Sequence, residues 1–157
     1  MSIKHCVIAA AFVALAVAPA SAQNANADPS YGTINLATGF EPDPQVIAIR
    51  SGGNIDAESI SSSCAGFIAN APDVRLVFSG GSSLPLVISA NARADTTLVI
   101  NAPDGNWYCD DDGGNGGLNP AVRFNRPKAG RNEIWVGTFG NASLQPAELH
   151  ISELYSE

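Results

Sequence analysis

The chain has 157 residues, 45% of them hydrophobic, with 8 basic side chains against 15 acidic ones and a formal net charge of −7. That length supports one domain with a real core and is too short for two. The acidic balance excludes nucleic acid or an anionic membrane surface as partner, since both need a basic face, and it suits cation binding.

Residues 1–22 open with Lys4 and His5, run through an apolar stretch at 7–18, and close on Ala20-Ser21-Ala22. This is the layout of a secretory signal peptide with a small-x-small cleavage site. The apolar stretch is shorter than the roughly 20 residues a membrane span requires, and no later segment qualifies. Removing it leaves 135 residues and, because Lys4 goes with it, a net charge of −8. The expected location is periplasmic or secreted.

Residues 23–30 (QNANADPS) are small, polar and unpatterned, which predicts a flexible lead-in. A single domain is expected over 31–157. In it, short β-rich runs alternate with Gly, Pro, Asn and Asp. The runs are 45–50 (QVIAIR), 64–68, 74–79 (VRLVFS), 84–89 (LPLVIS), 96–100 (TTLVI), 107–110 (WYCD), 121–124, 133–139 (EIWVGTF) and 148–154. Residues 102–106 (APDGN) form a strong hairpin signal between the fifth and sixth runs, and 79–84 (SGGSSL) reads as another hairpin loop. Residues 56–63 (DAESISSS) favour a loop or short strand over a helical turn, and nothing shows a sustained apolar period near 3.6. The expectation is all-β: an antiparallel β-sandwich of about nine strands. Its core should draw on Val46, Ile47 or Ile49, Phe67, Leu76, Phe78, Leu86, Ile88, Leu98, Ile100, Ile134, Val136, Leu149 and Ile151.

With Cys6 lost to the signal, Cys64 and Cys109 remain, and two cysteines in an exported chain are expected to pair. The bridge closes a loop of 45 positions, worth about 4 kcal/mol in the chain-entropy picture. No C-x-x-C is present for thiol exchange, and two sulfurs with no neighbouring histidine make a poor zinc site.

Catalytic signals are thin. The one histidine after residue 22 is His150, in Glu148-Leu149-His150-Ile151, where alternation puts Leu149 and Ile151 on one face and His150 in solvent with Glu148. Neither G-x-S-x-G nor H-E-x-x-H occurs. A carboxylate pair for glycoside cleavage is not excluded by 15 acids. The clustered ones, however, lie in a glycine-rich loop, a setting suited to a cation rather than to raised carboxyl pKa values.

That loop, 110–119 (DDDGGNGGLN), is the most informative stretch. Adjacent aspartates repel one another unless solvated or neutralised. Calcium takes six to eight oxygens of mixed kind, which Asp110, Asp111, Asp112, Asn115 and Asn119 with loop carbonyls supply in type. If Asp104-Gly105 forms the turn, Ile100 faces Cys109, Leu98 faces Asp111, and Asp95 sits beside Asp111 and Asp112. The spacing fails the EF-hand pattern, so any site must be assembled from separate segments. Two readings stay open: a calcium site of Asp95, Asp110, Asp111, Asp112, Asn115 and Asn119, or a solvated acidic loop that binds nothing. Trp107, Tyr108, Phe124, Trp135 and Phe139 offer a similar choice between a glycan-stacking face and the core, with the core expected for most.

Several stretches together resemble a bacterial family. They are Pro72-Asp73-Val74, Pro85-Leu86, Ala94-Asp95-Thr96-Thr97-Leu98, the run from Pro103 to Asp112, Leu118-Asn119-Pro120 and Ile134-Trp135-Val136-Gly137-Thr138-Phe139. They resemble the pre-peptidase C-terminal domains and their stand-alone exported relatives. The resemblance implies a jelly-roll-like sandwich, often carrying calcium, in exported proteins that sit beside secreted peptidases. It moves the calcium reading ahead of the solvated loop. The function expected is a non-catalytic binding module serving envelope integrity or calcium handling. Calcium, an envelope polysaccharide or an envelope protein are the candidate partners, and a peptidase accessory or a glycan- or matrix-binding module is the rival reading.

Overall fold

The computed structural model describes residues 23–81 and 83–157. The expected signal peptide, 1–22, and Ser82 lie outside the described residues. In chain order the strands are β1 (Thr33–Ala37), β2 (Gln45–Ser51), β3 (Ile55–Asp56), β4 (Phe67–Ile68), β5 (Val74–Ser79), β6 (Leu86–Ala92), β7 (Thr96–Asn101), β8 (Trp107–Asp110), β9 (Ala121–Phe124), β10 (Gly130–Thr138) and β11 (Gln145–Ser152). They form two sheets, so the protein is an all-β sandwich.

The first sheet has seven strands built around β10. One edge of β10 carries β5 and then, past a gap, β4 and β3; the other carries β7 and β8. The second sheet runs β2-β11-β6-β9. All strand pairs are antiparallel except β1 with β5, which run parallel from Thr33 opposite Arg75 to Ala37 opposite Ser79. Eleven strands replace the expected nine, because β1 and the two-residue β3 carry little β signal of their own. Residues 79–84 do not join a hairpin: β5 belongs to one sheet and β6 to the other. Asp56 caps a single 3-10 turn at Ala57–Ser59, its side chain accepting from the Glu58 amide, where a loop was expected.

Between the sheets, Leu76, Phe78, Leu86, Ile88, Leu98, Ile100, Ile134, Val136, Leu149 and Ile151 form the core, as their alternation predicts. Each such side chain contributes about 1.5–3 kcal/mol when fully buried. Phe67 and Val46 are corrections: Phe67 is only half-buried and joins neither buried cluster. Val46 points outward from edge strand β2 and is 49% exposed, while Ile47 and Ile49 take the inner positions.

The outer face of the first sheet is covered too. Trp135 and Val99 project there and are fully buried under Ile55, Ala57, Cys64 and Ile68. The segment carrying β3, the 3-10 turn and Cys64 thus lies over the sheet as a flap. The Cys64–Cys109 disulfide pins it to β8, with Cα atoms 5.0 Å apart. Residues 23–30, expected as a flexible lead-in, also dock. The Asn24 amide donates to the Asn70 carbonyl at 2.7 Å, the Ser30 amide to the Pro72 carbonyl at 2.9 Å, and Ala25 packs against the flap cluster.

The gap along β10 between β5 and β4 leaves backbone groups that need partners. Asp73 supplies one: its buried carboxylate accepts from the Val136 amide at 2.7 Å, and the Gly52 amide donates to the Val136 carbonyl at 2.8 Å. Burial pushes the Asp73 carboxyl up to about 7, against the opposing pull of the Val136 amide.

Candidate functional site

The acidic loop spans the exit of β8 and the entry of β9, beside the foot of β7. The hairpin register there differs from the expected one by a residue. Ile100 faces Tyr108 and Leu98 faces Asp110, because residues 102–106 close as a tight loop with Gly105 at φ +78°. Trp107 and Cys109 keep the outer face and Tyr108 the inner one.

Two of the expected ligands are already engaged with the protein. Asp110 Oδ2 accepts from the Gly113 amide at 2.7 Å and the Ala121 amide at 2.9 Å, tying the two ends of the loop together. A Cβ on Gly113 would sit 2.6 Å from that carboxylate, so the glycine serves the close approach. Asn119 is buried. Its Oδ1 accepts from the Ala92 amide at 3.1 Å and the Thr96 hydroxyl at 2.9 Å, and its Nδ2 donates to the Ala92 carbonyl at 3.1 Å. Asn119 therefore clamps the loop to β6 and β7.

Asn115 reaches the C-terminal tail instead. Its Nδ2 donates to the Ser156 carbonyl at 2.8 Å and its amide to the Glu157 carbonyl at 3.0 Å. The three remaining carboxylates feel one another. The Asp95 carboxyl is raised by partial burial first, then by the nearby charges of Asp112 and Asp111. Among the described residues, no three His, Cys, Asp or Glu side chains are placed to share one metal ion. Asp95, Asp111 and Asp112 thus form a loose acidic patch, and no closed oxygen cage surrounds a point.

His150 does not sit in solvent. It is 7% exposed on the outer face of the second sheet, opposite Val46 on β2 and Ser89 on β6. The chain turns back at Ser152, whose Oγ accepts from the amides of Leu154 and Tyr155, and the Glu157 amide donates to Ser89 Oγ at 3.1 Å. This returning tail covers the neighbour of the histidine, which alternation along β11 alone does not reveal. Among the described residues both ring nitrogens lack a hydrogen-bond partner, and Nε2 stands 3.5 Å from a Glu148 carboxylate oxygen.

The aromatic rings divide between the two faces of the first sheet. Trp107 packs against Trp135 with ring centres 5.6 Å apart and planes tilted by 41° under the flap, and Tyr108 meets Phe124 edge-on at 4.9 Å on the core side. Phe139 alone of the five is largely exposed. They do not share a stacking surface.

Sequence reasoning passed over Asn132, a buried side chain on β10 that lines a small pocket between the sheets. A polar residue at an inward position among apolar neighbours was the signal for it. Among the described residues no helix is long and apolar enough to cross a membrane.

No protein-family model matches the chain, and no curated protein sequence does. Among solved structures, the chain is similar to PliG of Aeromonas hydrophila, a periplasmic lysozyme inhibitor of g-type lysozyme. The two share 12% identity with a TM-score of 0.43, over 80% of this chain and 98% of that one.

Proposed function

We propose that this is a non-catalytic, exported β-sandwich that works by binding. The observation that carries this reading is His150. The one imidazole after residue 22 is 7% exposed, and among the described residues neither ring nitrogen is bonded to a nucleophile, whereas base catalysis needs that contact or a clear path to it. The Cys64–Cys109 staple and the leader-like residues 1–22 support export. Purified protein should leave casein and envelope glycans uncleaved. Hydrolysis that His150→Gln abolishes without lowering the melting temperature would overturn the reading.

The finer reading adds weak calcium association with the acidic patch of Asp95, Asp111 and Asp112, with no single ion shared by all three carboxylates, in keeping with the likeness to pre-peptidase C-terminal domains. Its support is the gathering of three carboxylates at one end of the sandwich; the Asp95 carboxyl is raised first by partial burial and then by the charges of Asp112 and Asp111, which a nearby divalent ion would screen. Without a closed cage the affinity belongs to the weak range of extracellular modules, a Kd of about 1 mM. At 10 mM calcium the folded state then gains about 1.4 kcal/mol. Melting curves with calcium and with chelator test this: Asp111→Asn and Asp112→Asn should each reduce the upward shift. Identical curves would leave a solvated acidic loop.

A further inference from the structure

At the end of the sandwich away from the acidic loop, a pocket of about 70 Å³ opens between the β7–β8 turn and the segment joining β9 to β10. Its apolar wall includes Leu86, Phe124 and the ring of Tyr108, and Arg126 and Lys128 stand at its rim. Asn132 also lines it, 3% exposed and on the inner face of β10, where Ile134 and Val136 continue the row into the core. Its amide nitrogen is buried without a hydrogen-bond partner among the described residues. Leaving such a group unsatisfied costs about 1–3 kcal/mol, so it is an expensive choice for a position next to Ile134.

The charges at the pocket are unlike those of the chain. Asp104 is the one acid on its lining, and it is already neutralised. The Asn106 amide donates to it at 3.0 Å, the Tyr108 hydroxyl at 2.9 Å and the Lys128 ammonium at 3.3 Å. These donors, with the Asn106 amide foremost, hold its carboxyl at about 2. Arg126 has no ion-pair partner among the described residues and is exposed. The pocket therefore carries one surplus positive charge on a protein of net charge −7. With about 70 Å³ of accessible space, the pocket suits the head of a short side chain.

We propose that this pocket receives a carboxylate on a short apolar stem, with the Asn132 amide donating to it from inside and Arg126 pairing with it at the rim. An amide with no present partner is free to turn its nitrogen toward such a guest. The carboxylate has two possible sources, a free small acid or a Glu, Asp or C-terminal carboxyl of a partner protein, and the chemistry recognised is the same. The site is far from the acidic loop, so it stands independently of the calcium reading.

Nuclear magnetic resonance titration of the 15N-labelled chain tests this. The probes are sodium acetate and a blocked glutamyl peptide, each against sodium chloride at matched ionic strength. Saturable shifts centred on residues 126–132 are expected with both carboxylates and not with chloride. Tighter binding of the peptide assigns the source to a partner protein, and equal or tighter binding of acetate to a free acid. Asn132→Leu, similar in shape, should weaken binding at least tenfold while raising the melting temperature, since it removes an unsatisfied amide. Arg126→Gln should weaken binding several-fold with the fold unchanged. No saturable response, an equal response to chloride, or full binding by Asn132→Leu would overturn the proposal.

Discussion

Replacing Asp73 with asparagine should remove the fall in stability that Asp73 causes as pH rises through the weakly acidic range. Asp73 is 3% exposed, and burial moves its carboxyl from 3.8 up to about 7. Between those values the folded protein holds a proton that the unfolded chain has released. The unfolded state then binds fewer protons, so stability falls as pH rises through the window and is flat above it. One proton changes the unfolding free energy by about 1.4 kcal/mol per pH unit, and the full window of about 3 units amounts to about 4 kcal/mol.

Asp73→Asn never charges yet keeps an oxygen for the Val136 amide, so it loses this slope. Any cost of its NH2 group does not depend on pH and so leaves the slope unchanged. The readout is the difference between variant and wild type in urea-unfolding free energy, taken every half unit from pH 4 to 8.5. Carboxyls common to both proteins, including the lowered Asp104 and the raised Asp95, cancel in that difference. The variant should gain steadily on the wild type from pH 4 to 7, by up to about 4 kcal/mol. A difference that stays flat across this range would show that Asp73 is charged in the fold at every pH tested. The reasoning from burial would then be wrong.

Cys64→Ala with Cys109→Ala should lower stability by about 4 kcal/mol, from the loop of 45 positions it reopens. Hydrogen exchange should show residues 55–64 losing protection before the core strands do; uniform loss would mean the flap is not a separate unit. Trp135→Ala should cost about 3–5 kcal/mol, the cost of emptying a fully buried large site, although Trp135 lies outside the core between the sheets. Urea unfolding measures it, and a cost below about 1 kcal/mol would contradict the flap's role as a second core.

The strands that pack between the sheets were legible because each alternates cleanly against solvent or carries a sustained apolar run. The flap was not read, though its trace lies in the sequence. Residues 96–100 (TTLVI) and 134–136 (IWV) are apolar on both faces, the pattern of strands covered twice. Reading them for one buried face forced a choice between Trp135 and its neighbours, and the structure buries all three. β1 was missed for another reason. Its residues, TINLA, are half polar, and its pairing to β5 comes from a segment forty residues further on. A strand held by a distant neighbour announces itself weakly in its own composition.

The acidic loop shows why site residues are harder to read than strands. Oxygens that suit calcium are the same oxygens that cap backbone amides, and composition does not separate the two uses. Asp110 takes two amide donors on one oxygen, and charged hydrogen bonds of that kind are worth about 1.5–3 kcal/mol each. A cation recruiting that oxygen must first offset those bonds, and recruiting Asn119 must unfasten three more. The loop's glycines have a structural account in the same terms, since Gly114 lies where a Cβ would meet the Glu157 carbonyl at 2.5 Å. Among the described residues, the Asp95, Asp111 and Asp112 carboxylates at one end and the Asn132 amide nitrogen at the other have no hydrogen-bond partner, so a ligand there displaces no existing bond. Hydrogen-bond accounting therefore ranks the candidate residues in an order that their spacing along the chain does not contain.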